Sequence, residues 1–229
     1  MIGWSSPFLV SIVWGIAGLG LGIAVRRASV GLARLEGLKP GSRPWQVYGP
    51  SVLAGLLFAL FGWRLGATPL LLIRSVWILV LVQIIFFDLE HHLILDRVLL
   101  PAALAALVLS VVTPNLGWVS ALLTGLGTGL VFLAVAALGA LLFHAEAMGM
   151  GDVKLAALIG LVLGVQGLRY VAVAASLALL AGGIRGVVAL LAGRLRKDAI
   201  QFGPFLSAGA VVAAFLASRV AGAYLSLFR

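Results

Sequence analysis

Long apolar runs separated by short polar breaks dominate this chain. Their lengths and positions predict eight helical spans, at about 7–25, 48–63, 70–87, 98–113, 117–143, 153–168, 170–192 and 203–226. Several breaks have turn chemistry: Gly66 to Pro69, Thr113-Pro114-Asn115-Leu116-Gly117, and Gly203-Pro204. The sixth run is short. Fused with the seventh it would give one helix over 153–192, far longer than a bilayer needs at about 1.5 Å per residue, so two spans are expected. No internal repeat or low-complexity segment is present, and 1–229 reads as a single membrane-embedded domain. The one sizeable polar connection, 26–47, is basic and contains Pro40, Gly41 and Pro44; it is too short to be a domain.

Composition agrees with that pattern. Of 229 residues, 63% are hydrophobic and 10% charged, with a mean hydropathy of +1.21. A soluble domain of this size needs no such apolar surface, whereas a polytopic helical protein must offer about 20 apolar residues per span to lipid. The expected fold class is therefore an all-α polytopic membrane protein with the lipid bilayer as its first partner. The chain has no cysteine, which removes disulfides, thiol catalysis and cysteine-ligated zinc.

The net charge of +9 reads as topology rather than nucleic-acid binding, because the basic residues cluster in short loops. The first positive charge, Arg26, follows the first apolar run, the reverse of a cleavable signal peptide. A retained first span with its N-terminus outside is expected. The loops 26–47, 88–97, 144–154 and 193–202 then share the cytoplasmic side. They hold Arg26, Arg27, Arg34, Lys39, Arg43, Arg97, Lys154, Arg194, Arg196 and Lys197, with Arg185 near that end of its span. The other side receives mainly Arg64, Arg169 and Arg229; Arg74 and Arg219, close to it, are expected to snorkel outward. All seven acids (Glu36, Asp88, Glu90, Asp96, Glu146, Asp152, Asp198) and the three histidines fall on the cytoplasmic side, independently of the basic residues that define the rule.

Two acidic segments stand out: Phe87-Asp88-Leu89-Glu90-His91-His92 and Gly149-Met150-Gly151-Asp152-Val153-Lys154. Val98 to Phe143 between them has no charge. If that stretch crosses the membrane twice, both acids return to one face. Ionised carboxylates beside hydrocarbon are costly, so both aspartates are candidate functional residues. Brought close together in a poorly hydrated site, they cannot both ionise easily and share one proton. Such a pair activates water as a base and donates a proton as an acid, so amide hydrolysis needs neither metal nor nucleophilic side chain. Gly149 and Gly151 are expected to loosen the helix start, aim Asp152 and make room for an extended substrate. The plainer alternatives are a helix cap or first-turn acid for Asp152 and a surface ion pair for Asp88. Lys154 either orients the Asp152 loop, contacts substrate or snorkels. Glu90 and Asp96 either attract a basic substrate segment or form a solvated acidic turn.

The sequence resembles the prepilin peptidase (type IV leader peptidase) family of bacterial inner-membrane aspartyl proteases over about residues 50–229. The resemblance rests on Phe87-Asp88-Leu89-Glu90-His91-His92-Leu93-Ile94-Leu95-Asp96, on Gly149-Met150-Gly151-Asp152-Val153-Lys154-Leu155, and on Phe202-Gly203-Pro204-Phe205. It implies that Asp88 and Asp152 are the catalytic pair of an aspartic endopeptidase of the Gly-x-Gly-Asp type. The implied substrates are type IV prepilin or pseudopilin precursors, cut on the cytoplasmic side just before a hydrophobic helix. The chain has Leu95-Asp96 where many relatives have Pro-Asp, and Gln201 where many have proline. Larger relatives carry a cysteine-rich zinc region and N-methylate the new terminus with S-adenosylmethionine. This chain has no cysteine and a short first loop, which puts methyl transfer in question, and no cofactor is expected.

The rival is a metal-dependent membrane protein or transporter using Glu90, His91, His92, His144 and Glu146. It finds no His-Glu-x-x-His, and adjacent histidines diverge on a helix. A transporter would also want polar residues in mid-span, where the sequence offers almost none. A serine intramembrane protease would need histidine within the membrane, and Gly-x-Ser-x-Gly is absent. Trp4, Trp63 and Trp118 suit interfacial anchoring, and Trp77 suits helix packing.

Overall fold

A computed structural model describes residues 6–112, 117–143, 148–191 and 202–226. Among them the ordered elements are helices: α1 (Pro7–Leu35), α2 (Pro44–Leu65), α3 (Pro69–His91), α4 (Asp96–Val112), α5 (Trp118–Phe143), α6 (Met150–Gly164), α7 (Leu168–Leu191) and α8 (Gly203–Ser226). The protein is an all-α membrane protein. Helices α1, α2, α3, α5 and α7 are long and apolar enough to cross a bilayer. The others are shorter: α4 has 17 residues, α6 has 15, and the apolar stretch of α8 is Gly203–Leu216.

Local chemistry sets the helix ends. Proline occupies the first turn of α1, α2 and α3, where its missing N–H is no loss. Ser6 caps α1 by accepting from the Leu9 amide, and the Gln46 side chain accepts from the Arg43 amide at the start of α2. The Gly66–Pro69 break is seen as expected, with Gly66 at a φ of 59°. Gly167, at a φ of 112°, separates α6 from α7, so the two runs are separate helices. The first polar connection is shorter than the sequence implied. Helix α1 continues past Arg26 to Leu35 and α2 begins at Pro44, because Val25, Ser29 and Ala33 stay buried along one face.

The chain forms two compact units, Met1–His92 and Leu93–Arg229. In the first, α1 packs along α2, and both touch α3. Small residues permit the approach: a methyl group at Gly18 would lie 2.6 Å from the Ala54 carbonyl oxygen. Hydroxyls then reach across, Ser11 Oγ donating to the Ala59 carbonyl at 2.8 Å and Ser51 Oγ to that of Leu19 at 2.6 Å. Where lipid replaces water, such close packing and hydrogen bonds hold helices together in place of the hydrophobic effect. Trp77 is buried as expected. Arg74 is not turned outward. It is 5% exposed, because it shares the packed face of α3 with Leu71, Ser75 and Ile78. The side chain of Arg219 lies outside the described residues.

In the second unit α6 is central, touching α4, α5, α7 and α8. A helix enclosed by others need not match the bilayer thickness, which accounts for its brevity. Gly160 lets α5 come close, with the Thr124 carbonyl 2.6 Å from where a Cβ would sit. Thr124 Oγ1 and Ser120 Oγ donate to the Gly160 and Gly164 carbonyls, each at 3.0 Å. Helix α8 starts at the Phe202-Gly203-Pro204-Phe205 segment. There Phe202 stacks obliquely on Phe132 of α5 and on Phe205, with ring centroids 6.4 and 6.5 Å apart.

Candidate active site

The motif acids sit at helix ends, one in each unit. Asp88 is in the last turn of α3 and is 5% exposed; Asp152 is in the first turn of α6 and is 8% exposed. Of the described acids, these are the two whose residues are buried. Ile84, Ile85 and Phe87, next to Asp88 in α3, are buried as well. That helix stops at His92, which adopts the left-handed conformation (φ 56°) and donates its amide to the Asp88 carbonyl at 2.8 Å. This is a C-terminal cap of the kind usually given to glycine.

Asp152 is the third residue of α6, after Gly149 as N-cap, so it occupies the end where the helix dipole favours negative charge. The start of α6 is not loosened. Gly149 has φ −72° and ψ 151°, angles open to any residue, and Met150 and Gly151 are already helical. Glycine instead supplies room at Gly151, where a Cβ would stand 3.0 Å from Ile94 Cβ; at Gly149 a Cβ would meet Asp152 Oδ2 in ordinary contact, at 3.8 Å.

The remaining site candidates are engaged in pairs. Glu90 accepts from Arg26 Nη1 at 2.7 Å, and both side chains are sheltered. It also accepts from the Gly41 amide, and His91 Nε2 lies 3.3 Å away. Asp96 holds Lys154 Nζ through both oxygens, at 2.8 and 2.7 Å, on an exposed surface. The Phe87 and His91 rings lie 4.7 Å apart. Among the described residues no group of three histidine, aspartate or glutamate side chains is gathered to hold a metal. His144, Glu146, Asp198 and Gln201 lie outside the described residues.

Some buried polar groups escaped sequence reading. Gln83 Nε2 in α3 and Ser207 Oγ in α8 are enclosed and have no hydrogen-bond partner among the described residues. Gln83 stands out as an amide in the middle of an apolar run; Ser207 carries no signal. In sequence Arg26 and Gly41 carry only the signals of a loop charge and a loop breaker.

A model of the type IV leader peptidase family matches residues 75–184, a stretch containing both aspartates. The chain is 34% identical over 180 residues to the prepilin leader peptidase/N-methyltransferase of Bacillus subtilis (strain 168), covering 77% of this chain and 68% of that one. It is 29% identical over 185 residues to the protein of the same name from Legionella pneumophila, covering 80% and 63%. No solved structure matches. The chain belongs to the type IV leader peptidase family. It is a peptidase and a multi-pass membrane protein, spanning roughly two thirds of the length of these curated relatives.

Proposed function

We propose that this chain is an aspartic endopeptidase of the bacterial inner membrane. It removes the short basic leader from type IV prepilin or pseudopilin precursors at the cytoplasmic face, with Asp88 and Asp152 as its catalytic pair. The observation that carries this reading is that the aspartates of both motifs are buried at helix ends, 5% and 8% exposed, inside the stretch that the family model matches. Burial of a carboxyl group in an apolar surrounding is costly and is kept where the chemistry uses it.

In the proposed reaction one carboxylate takes a proton from water as the oxygen attacks the scissile carbonyl. The other, protonated, donates to the carbonyl oxygen and stabilises the tetrahedral intermediate. On collapse the C–N bond breaks, the departing amine takes a proton, and acid and amine products leave with one water consumed. The excess of basic residues on the side assigned to both acids, chiefly in 26–47 and 193–202, supports the cytoplasmic face. Hydrolysis is the whole of the proposal; methyl transfer belongs to the names of the relatives.

Incubating the purified protein with a precursor and mapping the new N-terminus by mass spectrometry tests it. Asp88→Asn and Asp152→Asn are each expected to abolish processing while remaining folded in membranes; substantial cleavage by either variant defeats the mechanism. A chelator is expected to leave activity intact, and loss restored by zinc would favour the metal-dependent rival.

A further inference from the structure

Asp88 sits near the end of α3, where a helix is held by fewer backbone bonds than in its middle. A catalytic carboxylate must nonetheless be held to within a fraction of an ångström, since a misplacement of about 1 Å can cost about 100-fold in rate. The fixing device lies two residues further on. Arg26, projecting from α1, donates through Nη1 to Glu90 and through Nη2 to the Gly41 carbonyl. The Gly41 amide in turn donates to the other Glu90 oxygen. The three groups close a ring of charge-assisted bonds that joins α1, the 36–43 connection and the end of α3. The Arg26 and Glu90 side chains are only 12% and 5% exposed. A second brace is apolar: Trp45, in the first turn of α2, lies 6.4 Å from the Phe86 ring.

A sheltered ion pair of this kind contributes little net stability, because desolvation offsets attraction; its best-attested use is to select one geometry over others. We propose that Glu90, Arg26 and Gly41 form a clamp that fixes the last turn of α3, making Glu90 a positioning residue for the Asp88 carboxylate rather than a docking point for the substrate leader. This rests on Asp88 being catalytic. Arginine suits the role because its planar fork serves the carboxylate and the carbonyl together, which a lysine ammonium cannot do with the same geometry.

The test uses the full chain in detergent and two synthetic membrane-spanning precursor peptides, one with a lysine-rich leader and one with those lysines replaced by glutamine. Glu90→Gln is expected to lower kcat about 10- to 100-fold on both peptides with KM unchanged. Hydrogen exchange at the Gly41 amide should rise, since its acceptor is weakened. Arg26→Ala should lower kcat similarly, Arg26→Lys less, and the Arg26→Ala/Glu90→Gln pair no further than the worse single variant. Should Arg26→Ala fail to fold, Arg26→Lys and Glu90→Gln carry the comparison. A raised KM confined to the lysine-rich peptide would overturn the clamp in favour of direct leader binding. Unchanged kcat in Glu90→Gln, or strictly multiplicative effects in the double variant, would overturn it too. Asp88→Asn is assayed alongside. If it remains active, the catalytic reading fails and takes the clamp with it; if it is dead while Glu90→Gln has wild-type kcat, the clamp alone fails.

Discussion

The last turn of α3 and the first turn of α6 each carry a buried aspartate, but they are secured by different means. Around Asp88 the fastening is polar and sheltered: Glu90, Arg26 and Gly41 tie the turn to the neighbouring helix and loop. Around Asp152 it is steric. Gly151 lies so close to Ile94 that an added methyl group would make Ile94 give way, and one polar tie nearby, Asp96 to Lys154, is about half exposed on each side. The helix ends differ as well. Asp152 occupies the end where backbone N–H groups favour an anion, and Asp88 the carbonyl end, which does not. Two acids of the same type are thus given unlike surroundings, as the proposed division of acid and base work would require.

The largest expected effect tests whether the two turns serve one reaction. Asp88→Asn and Asp152→Asn should each lower the cleavage rate by about 10²–10⁴-fold, and the double variant should be no slower than the worse single one. Initial rates on one precursor decide this; multiplied losses would mean that the acids act independently.

Next comes the steric fastening. Gly151→Val should press on Ile94, displacing the start of α6 or the 93–95 segment, with an overpacking cost of about 1–3 kcal/mol. Reduced kcat together with a lower midpoint of thermal unfolding in detergent is expected, and Gly151→Ala should fall between Val and wild type. Wild-type kcat in the valine variant would show that the close contact is incidental.

Gly160→Ala offers a control within the same unit but away from the acid. It drives a methyl group towards the carbonyl of Thr124, the residue whose own hydroxyl donates to the Gly160 carbonyl. It should destabilise by about 1–3 kcal/mol, read as a lowered unfolding midpoint, with a smaller effect on kcat than Gly151→Val.

The smallest effect is assigned to the exposed pair. Lys154→Ala should cost about 0.2–1 kcal/mol of stability, and the difference from wild type should shrink at high salt. Denaturation at two ionic strengths measures it. A loss of several kcal/mol, insensitive to salt, would mean that the Asp152 turn also has a polar clamp.

Much of the fold was legible because its signals are local. Apolar run length pointed to the helices, and the Gly66–Pro69 and Gly203-Pro204 breaks fall at helix boundaries. The limits of α1 were misjudged because Arg26, Arg27 and Arg34 look like loop charges, whereas burial of Val25, Ser29 and Ala33 keeps the helix going. Arg74 misled for the same reason: its charge suggests an outward path, and only the packed face of α3 shows otherwise.

What the sequence determined by itself is the membrane class, the helix order and the two acidic motifs, because hydropathy, breakers and short motifs are written within a few residues of one another. What only tertiary structure decided is how each motif residue is engaged. Arg26 finds Glu90 across 64 positions and Lys154 finds Asp96 across 58, and no local pattern encodes such partners. They are fixed by which helix faces pack together, and that depends on side-chain shape along the whole length of each helix.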